Sequence, residues 1–165
     1  MAHWFAVYVN VKHEKKVVQK LLEKGIEAYS PVVKKLQQWS DRKKWVEFPM
    51  ISGYVFVKIE VKDKEKVLNC PGVFAFIKFN GMEAIIKDSE IAVLKSIELS
   101  GYDVTQSVED LSLLDEVEII QGYLKGHRGT IVQLGNLQYV QIQLESLHQN
   151  IKVKLPSQSL KILSS

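Results

Sequence analysis

From Gly53 to Ile59 the chain reads Gly-Tyr-Val-Phe-Val-Lys-Ile, and its side chains alternate. Tyr54, Phe56 and Lys58 fall on one side of an extended strand; Val55, Val57 and Ile59 fall on the other. The aliphatic side suits a core beneath helices. Two aromatics beside a lysine suit a side that is only partly covered, where they would either anchor a protein partner or serve as ordinary core residues. A second group points to polyanions: Lys12, Lys16, Gln19 and Lys20 lie opposite an apolar helical stripe, either as a phosphate-attracting face or as a solvated one. A third is Gln37 to Trp45, QQWSDRKKW, where two tryptophans flank three consecutive basic residues. They could pair across a hairpin or stack on a partner.

Catalytic chemistry finds no comparable support. His3, His13, His127 and His148 are scattered, no His-Glu-x-x-His or Cys-x-x-Cys spacing occurs, and Ser, His and acidic residues form no nucleophile motif. The single cysteine, Cys70, cannot form an intramolecular disulfide and fits a reducing compartment. No catalytic residue, metal site or cofactor is expected, so the protein is read as a non-enzyme. The N-terminus has neither the length nor the cleavage site of a signal peptide, and no apolar run reaches membrane-spanning length, so a cytoplasmic monomer without membrane association is expected. The formal charge of +3 is unevenly distributed. Residues 1–98 hold 17 Lys and Arg against 12 Asp and Glu, whereas residues 99–165 hold 5 against 7. That asymmetry favours two domains with different partners.

The elements that must position these residues follow from the pattern. Trp4 to Val11 reads as a strand, and His13 to Lys24 as a helix with Val17, Val18, Leu21 and Leu22 on its stripe and Gly25 at its end. Ile26 to Leu36 reads as a strand bent at Pro31, Gln37 to Trp45 as a hairpin tip, and the opening stretch as the return strand. Asp63 can cap a short helix over Lys64 to Asn69. Val73 to Phe79 and Met82 to Lys87 form a hairpin around Asn80-Gly81, and Asp88 or Ser89 caps a helix from Glu90 to Glu98. Leu99 to Ser112 reads as a linker. Five short strands follow, Glu116 to Ile120, Gly129 to Leu134, Tyr139 to Leu144, Ile151 to Leu155 and Leu160 to Leu163, which predict a small β-barrel.

This order resembles the NusG family of transcription elongation factors, including specialised paralogues of the RfaH/UpxY type. The resemblance rests on WFAVYV, an amphipathic helix, Ser30-Pro31, a basic hairpin, SGYVFVKI and Cys70-Pro71-Gly72-Val73. Further on it rests on Asp115-Glu116-Val117 and GYLKGHRGTIV from Gly122 to Val132, similar to a KOW motif. It implies an α+β architecture: residues 1–98 as an NGN-like antiparallel sheet with flanking helices, 99–112 as a linker, and 113–165 as a five-stranded KOW/Tudor-like barrel marked by Gly122, Gly126 and Gly129.

The resemblance also implies a mechanism, in which the N-terminal domain docks on the clamp helices of the largest subunit of bacterial RNA polymerase, bridges the DNA cleft and suppresses pausing or termination. Carried over, Tyr54, Phe56, Phe76, Ile91 and Leu94 are the polymerase-binding residues, and Lys12, His13, Lys16 and Lys20 face the non-template DNA strand. Several departures favour an operon-specific paralogue. Met50-Ile51-Ser52 separates Pro49 from Gly53, Asp63 to Lys66 lacks the His-Thr-Thr-Thr motif, Tyr123-Leu124 replaces Pro-Phe, and Ser146 to Gln149 replaces an aromatic-glycine-arginine loop. The alternatives are a general factor coupling polymerase to the ribosome or Rho through the KOW domain, or an RNA-binding KOW protein of ribosomal type. The acidic balance of the C-terminal part opposes the last.

Overall fold

The structure, a computed structural model, describes residues 1–105, 112–134 and 137–163. The chain runs β1 (His3–Val9), α1 (Glu14–Glu23), β2 (Glu27–Tyr29), β3 (Val32–Gln38), β4 (Lys43–Pro49) and β5 (Tyr54–Ile59). It continues through α2 (Lys64–Leu68), β6 (Val73–Phe76), β7 (Lys78–Phe79), β8 (Met82–Glu83), β9 (Ile85–Ile86) and α3 (Asp88–Ser100). The last strands are β10 (Val104–Thr105), β11 (Ser112–Ile119), β12 (Arg128–Leu134), β13 (Leu137–Leu144), β14 (Gln149–Val153) and β15 (Leu160–Ile162). These elements form two compact units, one of Met1–Val32 with Glu47–Ile91 and one of Val33–Val46 with Ala92–Ser165.

In the first unit an antiparallel sheet has the order β2-β5-β1-β6, with β9 pairing β1 beside Trp4 and Phe5. Phe5, Val7 and Val9 of β1 join Val55, Val57 and Ile59 of β5 in a buried cluster closed by Val17 and Leu21 of α1 and Val67 of α2. Burying a side chain such as Leu21 stabilises the fold by about 1.5–3 kcal/mol. The stripe on α1 is narrower than its sequence suggests. Glu14, Val17 and Leu21 are buried, while Leu22 is 53% exposed, because one residue's 100° rotation beyond Leu21 carries it out of the contact arc. Gly25, with φ +77°, turns the chain out of the helix as expected.

Local punctuation also departs from expectation at both short caps. Asp63 makes no side-chain hydrogen bond to α2. At α3 neither Asp88 nor Ser89 precedes the helix; instead the Glu90 carboxylate accepts the Lys87 backbone N–H at 3.1 Å, the returning half of a capping box. The Asn80-Gly81 turn is present between β7 and β8, with φ of 53° and 79°, the two positive angles of a type I′ turn.

β3 and β4 form a two-stranded ribbon whose residues Val33–Val46 belong to the second unit, and in that unit a separate sheet has the order β10-β14-β13-β12-β11-β15. The expected five-stranded barrel is therefore replaced by six antiparallel strands in an open order. The added strand comes from the stretch read as a linker: Val104 pairs with Val153 and Thr105 with Lys152. That stretch also contains the last turn of α3, while residues 106–111 lie outside the described residues. The strand reading of Tyr139 to Leu144 holds, with Val140, Ile142 and Leu144 buried.

Candidate functional site

The site is built around the turn that starts β5. Gly53 has φ +80°, a region that a side chain would strain, and both of its backbone groups are engaged. Its carbonyl accepts the Val9 N–H at 2.9 Å, and its own N–H donates to the Glu14 carboxylate at 2.7 Å. Glu14 is only 4% exposed. A buried carboxylate is tolerated when it accepts a strong hydrogen bond, and this one ties the first turn of α1 to the residue that leads into the aromatic strand. Sequence reasoning missed Glu14. The available signal was its place three and seven residues before Val17 and Leu21, on the buried arc of the helix.

β5 lies between β1 and β2, with Ala6 opposite Phe56, Val7 opposite Val55 and Tyr8 opposite Tyr54. Directly opposed residues share a face, so Tyr8, Tyr54, Ala6 and Phe56 lie together on the side away from α1. Phe56 and Ala6 are fully buried there, Tyr54 is half-buried and Tyr8 is 42% exposed. The two tyrosine rings meet edge to face, 5.3 Å between centroids and 84° between planes. Tyr8, absent from the residues singled out in the sequence, is thus the exposed member of the aromatic pair. Its alternation with Trp4 and Ala6 in WFAVYV was the available signal.

Phe76 does not join this face. The β1–β6 register shifts between Tyr8 and Val9, so that Val9 opposes Val73 but Tyr8 opposes Ala75, and Phe74 is extruded and 64% exposed. This bulge reverses the parity of the strand and places Phe76 opposite Val7, in the core beneath α1. There its ring meets Phe5 edge to face at 5.9 Å. Ile91 and Leu94 both lie on α3 and are buried. Of the five expected residues, Tyr54 and Phe56 share a face, Phe76 lies on the opposite one, and Ile91 and Leu94 are buried on α3.

Lys12, His13, Lys16 and Lys20 are all exposed at the start and along the outer side of α1. Lys16 and Lys20 are one turn apart and share a face. Among the described residues none of these four has an ion-pair partner, whereas the neighbouring Lys15 reaches Glu47 at 3.4 Å.

In the second unit Gly122 and Gly126 sit in the loop between β11 and β12, with φ of +87° and +94°. Ile119 holds both ends of that loop, accepting the Gly126 N–H at 2.7 Å and donating its own to the His127 carbonyl at 2.8 Å. Gly129 serves packing rather than turning. A Cβ there would lie 2.5 Å from Val140 Cγ1 and 2.7 Å from the Gln141 carbonyl oxygen, so only glycine lets β13 approach. Leu147 is buried, beside the left-handed His148.

Residues 2–95 match the family model NusG, described as transcription termination factor nusG. Among solved structures, a Thermotoga maritima NusG structure concerned with domain interaction aligns with TM-score 0.60 and 20% identity, covering 99% of this chain and 98% of that one. Conformation A of the MjSpt4:Spt5 complex aligns with TM-score 0.33 and 22% identity, covering 98% and 99%. No curated protein matches. The Thermotoga likeness extends the fold over the whole chain, and the family match covers more than half of it: the chain belongs to the NusG family of transcription factors.

Proposed function

We propose that this NusG-family factor binds the clamp helices of bacterial RNA polymerase through the edge-to-face pair Tyr8 and Tyr54, bridges the DNA cleft and suppresses pausing or termination at a limited set of operons. It acts by contact rather than by catalysis. The observation that carries the reading is the aromatic pair itself, partly exposed on the sheet face where Phe56 and Ala6 are fully buried. Aromatic anchors of this kind dominate binding energy at protein interfaces. Restriction to few operons is supported by the departures around Met50-Ile51-Ser52 and Ser146 to Gln149. The buried position of Leu147 gives no support to coupling with the ribosome or Rho through that residue.

The test is capture of core polymerase by the full chain. Tyr54→Ala with Tyr8→Ala is expected to weaken capture by at least about a hundredfold, since truncating a hot-spot aromatic costs about 2 kcal/mol or more and two such costs add incompletely. Phe76→Ala is expected to lower the unfolding free energy by about 3–5 kcal/mol while leaving capture by the folded fraction intact. Undiminished capture by a folded double-tyrosine variant would overturn the reading.

A further inference from the structure

We propose that the β3–β4 ribbon is a second binding element, specific for unpaired polynucleotide, with Trp39 as a base-stacking platform and Arg42, Lys44 and Lys35 as its phosphate contacts. The Trp39 N–H donates to the Arg42 carbonyl at 2.7 Å and the Arg42 N–H returns to the Trp39 carbonyl at 3.3 Å, which fixes them as a directly opposed pair around Ser40-Asp41. Strand alternation then puts Lys35, Gln37 and Trp39 of one strand on the same face as Arg42 and Lys44 of the other. All five are exposed. By the same alternation Trp45 lies with Lys43 on the reverse face, so the two indoles do not cover each other. They are 49% and 65% exposed, and neither is in a ring pair or cation–π contact among the described residues.

Two solvent-facing indoles on a two-stranded ribbon are costly to leave uncovered and point to a ligand with flat apolar faces. Between Val33 and Val46 the chain carries five Lys and Arg against one Asp, so that ligand is anionic. Unpaired nucleic acid meets both requirements, because every base offers a π-face and every linkage a phosphate; duplex hides the faces. A bilayer surface fits less well, since cations are interleaved with the indoles on both sides and neither side is continuously apolar. The residues invoked here include neither a tyrosine of the Tyr8–Tyr54 pair nor a lysine of α1, so the proposal does not rest on the polymerase reading.

The experiment uses the full chain carrying Lys12→Gln, Lys16→Gln and Lys20→Gln, which removes the competing cations of α1. Oligo-dT and oligo-rU about 12 nucleotides long and a duplex of equal length are titrated at low salt, following anisotropy and indole fluorescence. Either single strand is expected to quench the fluorescence and to bind at least about tenfold tighter than duplex, the tighter of the two identifying DNA or RNA as the source. Adding Trp39→Ala should weaken single-strand binding about tenfold or more, with Trp39→Phe between. Arg42→Gln with Lys44→Gln should flatten the salt dependence by about 0.7 for each phosphate no longer neutralised. Unchanged affinity on Trp39→Ala, equal binding of duplex, or binding of anionic vesicles without binding of oligonucleotide would each overturn the proposal. Polymerase capture by Trp39→Ala should match that of the unaltered chain, which separates failure here from failure of the tyrosine patch.

Discussion

Glu14 holds two surfaces in register through one hydrogen bond, since its carboxylate grips the residue before Tyr54 from the helix that carries Lys16 and Lys20. Glu14→Ala leaves the buried Gly53 N–H unsatisfied and is expected to lower the unfolding free energy by about 1–3 kcal/mol. Glu14→Gln keeps an acceptor oxygen and should cost less; urea titration of the three proteins checks the order. Lys152 is the opposite case, a buried cation on β14 flanked by Gln141 and Thr105. Burial pushes its ammonium below the ordinary lysine value of 10.5. The unfolded chain therefore binds more protons between the two values, so Lys152 costs stability below its folded pKa and the cost fades as pH rises through that value towards 10.5. Lys152→Met should raise stability at neutral pH by roughly 1 kcal/mol and flatten the alkaline rise, as measured by thermal unfolding across pH. The burial of Glu14 had its signal in the helical arc; that of Lys152 had none. Alternation in Ile151-Lys152-Val153 sets the lysine on the face opposite its two buried neighbours, and its strand is flanked by β13 on one side and by the distant β10 on the other.

At the scale of elements, helices and strands were readable because their signals are local. The switch from strand alternation in WFAVYV to helical spacing at Val17 and Leu21, and the Asn80-Gly81 turn, each lie within a few residues. What was not readable depends on pairing. The extruded Phe74 has no sequence mark, yet it moves Phe76 from the aromatic face to the core and so removes it from the expected docking set. Burial likewise depends on partners, and it separates Phe56, Ile91 and Leu94 from the exposed Tyr8. The outer side of α1 was legible, since opposite the stripe any helix must present its remaining residues. Its exposed Lys12, Lys16 and Lys20 give an element-scale prediction: replacing all three by Gln should weaken binding of the non-template strand and reduce the slope of log affinity against log salt by about 0.7 for each phosphate that a lysine had neutralised. An unchanged slope in salt-dependent binding assays would mark that face as merely solvated.

For the whole molecule, the order of motifs along the chain carried more information than any one of them, and the family resemblance it implied is borne out by the match over residues 2–95. The number of strands in the C-terminal sheet was not so carried, because Val104–Thr105 is too short to stand out from its polar surroundings and is a strand only through β14. The proposed restriction to few operons is a property of the whole protein. Its genomic occupancy, mapped with that of polymerase, is expected to fall at a few loci; occupancy over most transcribed genes would identify a general factor instead. The ribbon bearing Trp39 adds a different consequence. Its base is fastened where the Met50 N–H donates to the Pro31 carbonyl at 2.7 Å, and the Glu14–Gly53 bond closes a wider loop around it. The chain ends of the excursion are therefore held together whatever lies between them, so exchanging the ribbon for one of another length costs little closure entropy. Such an insert is a replaceable cartridge, free to diverge among related factors while the sheet, the helix and the tyrosine pair stay as they are.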